Sequence, residues 1–152
     1  MSDLHHCEWF GISCDGEGYV TKVELSNNKL VGKFPADSIA SFYKLQVLDL
    51  SNNNLSGAVA GEYEWAYLSW NETSEEWDQG PGPDTSTFFN LRDLTHVDLS
   101  RNKLSGEVDI LFAPALEYVN FSHNNFTSID SFKVSELSYA HDVDLQLAFG
   151  NE

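Results

Sequence analysis

At 152 residues the chain is long enough for one buried core, and its 24 acidic against 8 basic residues leave a net charge of −16 that argues against nucleic acid and anionic membrane surfaces as partners. No stretch of about eighteen apolar residues occurs, so no membrane-spanning helix is expected within it.

The N-terminal stretch Cys7-Glu8-Trp9-Phe10-Gly11-Ile12-Ser13-Cys14 holds both cysteines of the chain, and His5 and His6 precede it. One phrase then occurs three times: Val23-Glu24-Leu25-Ser26-Asn27-Asn28-Lys29-Leu30, Leu48-Asp49-Leu50-Ser51-Asn52-Asn53-Asn54-Leu55 and Val97-Asp98-Leu99-Ser100-Arg101-Asn102-Lys103-Leu104. Each copy extends back to an apolar residue at Val20, Leu45 or Leu94 and forward to Gly32, Gly57 or Gly106. The apolar alternation within each copy predicts a short strand with one face inward. A single copy cannot bury that face, so copies must stack into a solenoid with a parallel sheet along one side. Asn28, Asn53 and Asn102 stand where the chain leaves the strand, and their amides suit hydrogen bonding to the backbone of their own and neighbouring coils.

A fourth copy keeps the template with Leu116, Val119, Phe121, Asn124 and Phe126 but lacks the glycine, and a fifth strand is expected from Ala140, Val143 and Leu145, with Ala148 in the Asn slot. Copies therefore start at 20, 45, 94, 116 and 140, so that successive starts are 25, 49, 22 and 24 apart, and only the 49-residue step, close to two repeats, is anomalous.

The pattern L-x-x-L-x-L-x-x-N-x-L-x-G resembles that of leucine-rich repeat proteins. The segment C-x-W-x-G-I-x-C is similar to the N-terminal cap C-x-W-x-G-V-x-C of plant-type extracellular members, among them receptor-like kinase and receptor-like protein ectodomains and polygalacturonase-inhibitor-like proteins. The likeness runs from Cys7 to about Asn124 and departs in the long interval and in the missing proline after later L-x-G segments, where only Pro35 fits. It implies an α/β-type solenoid of mostly short parallel strands with a loop and 3-10 convex side, a right-handed superhelix of about four to six coils. The expected organisation is an N-terminal cap over 1–19, repeats over 20–59, an acidic aromatic insertion or degenerate repeat over 60–88, and continuing repeats over 89–152, truncated at the C-terminus.

The resemblance also implies a Cys7–Cys14 disulfide holding Trp9, Phe10 and Ile12 over the open end of the solenoid, a loop closure worth about 2–3 kcal/mol. Two cysteines fit a secreted module, and the expected location is extracellular or along the secretory route. Residues 1–6 lack the apolar run of a signal peptide, which suggests a mature chain or an excerpt. The competing reading of the thiols is a metal site from His5, His6, Cys7 and Cys14; neither metal nor cofactor is assigned. Four N-x-[ST] sequons, at Asn54, Asn71, Asn120 and Asn125, are candidate glycosylation sites in that route.

From about residue 60 to 88 the repeat breaks down. This interval carries Trp65, Tyr67, Trp70 and Trp77, seven acids counting Asp84, and no Lys or Arg before a Gly80-Pro81-Gly82-Pro83 turn. Tyr63, Ala66, Leu68 and Asn71 can be fitted to the template as a degenerate repeat; otherwise the segment is an insertion. Its aromatic and acidic residues suit stacking on sugars or anchoring a basic peptide, although packing against the convex side accounts for them as well. No D-x-D-x-D-G calcium loop is present.

On the strands, the residues between the apolar positions should face the inner curve in columns: Lys22, Val47, His96, Tyr118; then Glu24, Asp49, Asp98, Asn120; then Ser26, Ser51, Ser100, Ser122; then Asn27, Asn52, Arg101, His123. Strands about 4.8 Å apart give a face roughly 20–25 Å wide, enough for a peptide or a protein loop. The candidate contacts there are Lys22, Glu24, Asp49, His96, Asp98, Arg101, Tyr118, Asn120 and His123.

No G-x-S-x-G, H-E-x-x-H, P-loop or kinase signature occurs, so a non-catalytic module is expected. The function the sequence points to is recognition of a protein or peptide ligand by the extracellular part of a receptor-like or secreted protein. The alternatives are a wall protein binding polysaccharide or calcium through residues 61–84, an inhibitor of a secreted hydrolase, and a regulatory fragment of an enzyme.

Overall fold

The computed structural model describes residues 5–59, 67–71, 76–80, 91–108 and 115–129. A 3-10 turn at His6–Glu8 leads into β1 (Ile12–Cys14) and β2 (Val20–Glu24), then β3 (Val31–Lys33) and a short helix α1 (Ala36–Ala40). There follow β4 (Val47–Asp49), β5 (Asn54–Ala58), β6 (Tyr67–Asn71), β7 (Glu76–Gly80), β8 (His96–Asp98), β9 (Lys103–Val108), β10 (Tyr118–Asn120) and β11 (Asn125–Ile129).

The alternating residues of each copy form the first sheet, in the order β1-β2-β4-β8-β10. β1 runs antiparallel to β2, and the remaining pairs are parallel and aligned copy to copy: Lys22 opposite Val47, Val47 opposite His96, His96 opposite Tyr118. That register follows from the template, because a one-residue slip would turn Val23, Leu48, Val97 and Val119, which are at most 4% exposed, into solvent.

Beneath the sheet the other apolar template residues fill one core: Leu45, Leu50, Leu55, Leu94, Leu99, Leu104, Leu116 and Phe121 are buried. Burying such side chains contributes about 1.5–3 kcal/mol each. In the first copy, Leu25 and Leu30 are only partly buried, because no repeat lies on their other side to cover them.

A second sheet, in the order β11-β9-β5-β3, runs where loop was expected. Its strands begin around the last leucine of each copy and continue through the L-x-G glycine. Gly57 and Gly106 each hold φ of 85°, and a Cβ there would meet no atom nearer than 3.6 Å. The left-handed backbone, rather than lack of space, is what selects glycine. In the fourth copy, which lacks this glycine, the pairing of β11 with β9 shifts register between Phe126 and Ser128.

Across the 49-residue step, β4 is bonded directly to β8 and β5 directly to β9, with no strand between them in either sheet. β6 and β7 instead pair with each other, antiparallel, with Trp70 opposite Trp77 and Tyr67 opposite Gly80. Trp65, the side chains of Tyr67, Trp70 and Trp77, and the fifth copy expected from Ala140 lie outside the described residues.

At the N-terminal end Cys7 and Cys14 are joined by a disulfide. The expectation that Trp9, Phe10 and Ile12 together shield this end is corrected: Trp9 is 58% and Phe10 80% exposed, whereas Ile12 is partly buried against the core. Ile12 lies on β1, whereas Trp9 and Phe10 precede the left-handed turn at Gly11, outside the strand that lies over the first coil. Among the described residues no helix is long and apolar enough to cross a membrane.

Candidate functional site

The outward face of the first sheet gathers most of the residues singled out in sequence. Parallel pairing aligns Lys22, Val47, His96 and Tyr118 in one row and Glu24, Asp49, Asp98 and Asn120 in the next. In the first row the His96 and Tyr118 rings stack, with centroids 5.8 Å apart and planes 23° from parallel, and His96 Nδ1 lies 3.0 Å from Thr95 Oγ1. Lys22 and His96 are exposed, while Val47 and Tyr118 are half-buried.

The second row is partly committed to the fold. Asp49 Oδ1 accepts the Ser51 N–H, Asp98 Oδ1 that of Ser100, and Asn120 Oδ1 that of Ser122, at 3.0, 2.9 and 3.1 Å. Such side-chain-to-backbone bonds two residues on hold the turn at the strand exit. The second oxygen of Asp98 faces the row, where it accepts from Tyr118 Oη at 3.4 Å and from Asn120 Nδ2 at 3.3 Å. Tyr118, Asp98 and Asn120 thus form one linked polar group beside the His96–Tyr118 stack.

The third and fourth expected columns are corrected. Ser100 and Ser122 are buried at 6% and 7% exposure, while Ser26 and Ser51 are half-buried. Strands end at Asp98 and Asn120, so outward alternation no longer applies one turn later. Asn27, Asn52, Arg101 and His123 are exposed, but all sit beyond the strand with φ between 52° and 57°, in the left-handed turn. Asn52 Nδ2 donates to Asn27 Oδ1 across two adjacent coils. Arg101 and His123 therefore flank the face at its exit edge.

The template asparagines tie coil to coil. Asn53 Oδ1 accepts the Asn28 and Leu30 N–H groups while its Nδ2 donates to the carbonyls of Leu25, Leu50 and Ser51. Asn102 and Asn124 repeat this one copy on, accepting from Leu55 and Leu104. Asn28, in the first copy, donates only to Ser26 O.

The competing metal site requires thiolates, and both sulfurs are in the disulfide. His6 Nε2 is 3.1 Å from Gly18 O, His5 Nδ1 accepts the Cys7 N–H, and the two imidazole rings lie 4.1 Å apart. Just before β2, the Tyr19 ring approaches that of Tyr43 to 5.3 Å. Hydrogen bonding to Tyr19 first, then desolvation and the nearby carboxylates of Glu17 and Asp15, push the Tyr43 hydroxyl up to about 12.

The Leucine Rich Repeat family profile matches residues 44–62, 93–114 and 115–137. Over 125 residues, 79% of this chain, the sequence is 33% identical to the receptor protein-tyrosine kinase CEPR1 of Arabidopsis thaliana, of which it spans 13%. Among solved structures, a chain in the BIR3–SERK2 complex of Arabidopsis thaliana superposes with a TM-score of 0.61 at 28% identity, covering 89% of this chain and 61% of that one. The Arabidopsis receptor kinase HAESA, solved with the peptide hormone IDA and the co-receptor SERK1, gives a TM-score of 0.59 at 28% identity over 82% of this chain and 17% of its own. The chain carries leucine-rich repeats and is homologous to plant leucine-rich repeat receptor-like kinases. Its fold is that of a recognition module; the kinase activity of such relatives resides outside the region matched.

Proposed function

We propose that the chain is the ligand-recognition part of an extracellular receptor-like protein, a right-handed superhelix of about four to six coils that takes a peptide or protein segment on the face of the first sheet. The observation that carries this reading is the in-register pairing that places Lys22, His96 and Tyr118 in one row and Glu24, Asp49, Asp98 and Asn120 in the next, with Arg101 and His123 at the edge. Similarity to HAESA, which was solved with a peptide hormone and a co-receptor, supports a peptide as the ligand class. In this reading residues 1–19 cap the first coil, and 60–88 is an insertion, because β4 and β8 meet without it.

The test is a binding screen of the disulfide-intact chain against secreted peptides and proteins, repeated with His96→Ala/Tyr118→Ala. His96 is exposed and Tyr118 half-buried on the outward face, outside the apolar core, so the double variant should keep its circular dichroism spectrum and lose about tenfold or more in affinity, about 1.4 kcal/mol. A bound ligand that ignores these changes and also Arg101→Ala would place recognition elsewhere.

A further inference from the structure

We infer that Asn54 and Asn125 carry N-linked glycans in the folded protein while Asn120 does not, so that sugar occupies the second sheet and the face of the first stays bare. The inference rests on the extracellular reading above and adds to it which surface the sugars leave accessible.

The side chain of the fourth sequon, Asn71, lies outside the described residues; the other three differ in what the fold does with the amide. Asn54 and Asn125 open β5 and β11 of the second sheet; both are exposed, and neither side chain hydrogen-bonds to another described residue. In the other two copies the same template position is held by Lys29 and Lys103, also exposed, so this is a place where the repeat already projects a long solvated group. A glycan attached to Nδ2 there displaces nothing in the fold.

Asn120 is the opposite case. It is half-buried in the first sheet, its Oδ1 accepts the Ser122 N–H at 3.1 Å, and its Nδ2 donates to Asp98 Oδ2 at 3.3 Å, the same oxygen that Tyr118 Oη approaches. Strands in such a sheet are about 4.8 Å apart. A sugar on that nitrogen would stand where the Asp98 side chain is and would break the Tyr118–Asp98–Asn120 group. Chains modified at Asn120 would lose this packing, and the folded population is expected to be depleted of them.

The experiment is glycopeptide mass spectrometry on the folded, monomeric fraction of the full chain secreted from plant cells behind a cleavable signal, with a free-thiol titration alongside. Occupied Asn54 and Asn125 with unmodified Asn120 supports the inference; on gels, Asn54→Gln and Asn125→Gln should each remove one glycan step and Asn120→Gln none. Disulfide-bonded protein in which Asn120 is occupied like the others, or in which Asn54 or Asn125 is bare, overturns it while leaving the extracellular reading intact. Retained protein with two reactive thiols and every sequon bare overturns the extracellular reading and the inference together.

Discussion

Asn102 Oδ1 accepts the backbone N–H of Leu55 at 3.0 Å, a bond that reaches 47 positions back along the chain to the preceding coil. The Nδ2 of the same side chain donates to the carbonyls of Leu50, Leu99 and Ser100, so one amide serves four backbone groups of two coils, of which Ser100 O also accepts the Asn52 N–H. Asn102→Ala strands these groups away from water and should destabilise by about 2–4 kcal/mol. Asn28→Ala, which removes a single exposed bond to Ser26 O, should change stability by about 0.5 kcal/mol or less. Urea unfolding of the two variants checks the contrast; equal losses would mean that the inter-coil role is misassigned.

Arg101 adopts φ of 54°. A left-handed conformation is unfavourable for a residue with a Cβ and worse for a branched one. Arg101→Gly is expected to leave stability unchanged or raise it by up to about 1 kcal/mol, and Arg101→Val to lower it by about 1–2 kcal/mol. The ordering Gly, Arg, Val in denaturant midpoints is the outcome to look for. The same Arg101→Gly variant separates a backbone role from a ligand contact, since only the latter would weaken binding.

Tyr43 carries a hydroxyl raised from 10.0 to about 12, chiefly by its hydrogen bond with Tyr19. The folded value lies above the unfolded one, so whatever stability the neutral pair contributes is fully present below pH about 10 and is lost as pH rises through about 12. Tyr19→Phe removes the partner and should bring the Tyr43 midpoint down toward 10, read by ultraviolet titration of tyrosinate against a Tyr43→Phe control. A midpoint that stays near 12 in Tyr19→Phe would assign the shift to the carboxylates of Glu17 and Asp15 and to desolvation instead.

The Cys7–Cys14 disulfide closes a loop with a sequence separation of 7. Chain entropy alone gives such a loop about 2–3 kcal/mol. Replacing both cysteines by Ala should lower the unfolding free energy by that amount. Because Ile12 and Cys14 pack on the core and, among the described residues, β1 pairs only with β2, exchange protection should fall first in β1 and β2. Uniform loss across the chain would mean that the disulfide acts on the whole solenoid rather than on its first coil.

Much of the first sheet was legible in the sequence because its period-two alternation is imposed by burial: Val97 and Leu99 are fully buried while His96, on the other face of the same strand, stays exposed. The rows of the candidate site follow from the same alternation. The second sheet was not legible, since Ser56, Gly57 and Lys103 carry no alternating signal and their pairing is made by backbone groups. Nor was the burial of Ser100 and Ser122, small polar residues lying just past the strand end, where the alternation ceases. The double commitment of Asp98, to Ser100 on one oxygen and to Tyr118 and Asn120 on the other, depends on neighbouring copies and has no counterpart in any single repeat. Trp9 and Phe10 were misread because aromatic character suggests burial, whereas their place before Gly11 keeps them off the strand.

The direct pairing of β4 with β8 also bears on how the chain assembles. Bringing Val47 beside His96 closes 49 residues, where Lys22 and Val47 close 25. Doubling a flexible loop adds only about 0.6 kcal/mol of closure entropy, because the penalty grows with the logarithm of length. The solenoid can thus carry segments of very different length at this junction with almost no thermodynamic consequence, while the rate at which its halves find each other slows as the contact becomes less local. Length at this point is free to be set by selection on what the segment touches rather than by the stability of the coils it joins.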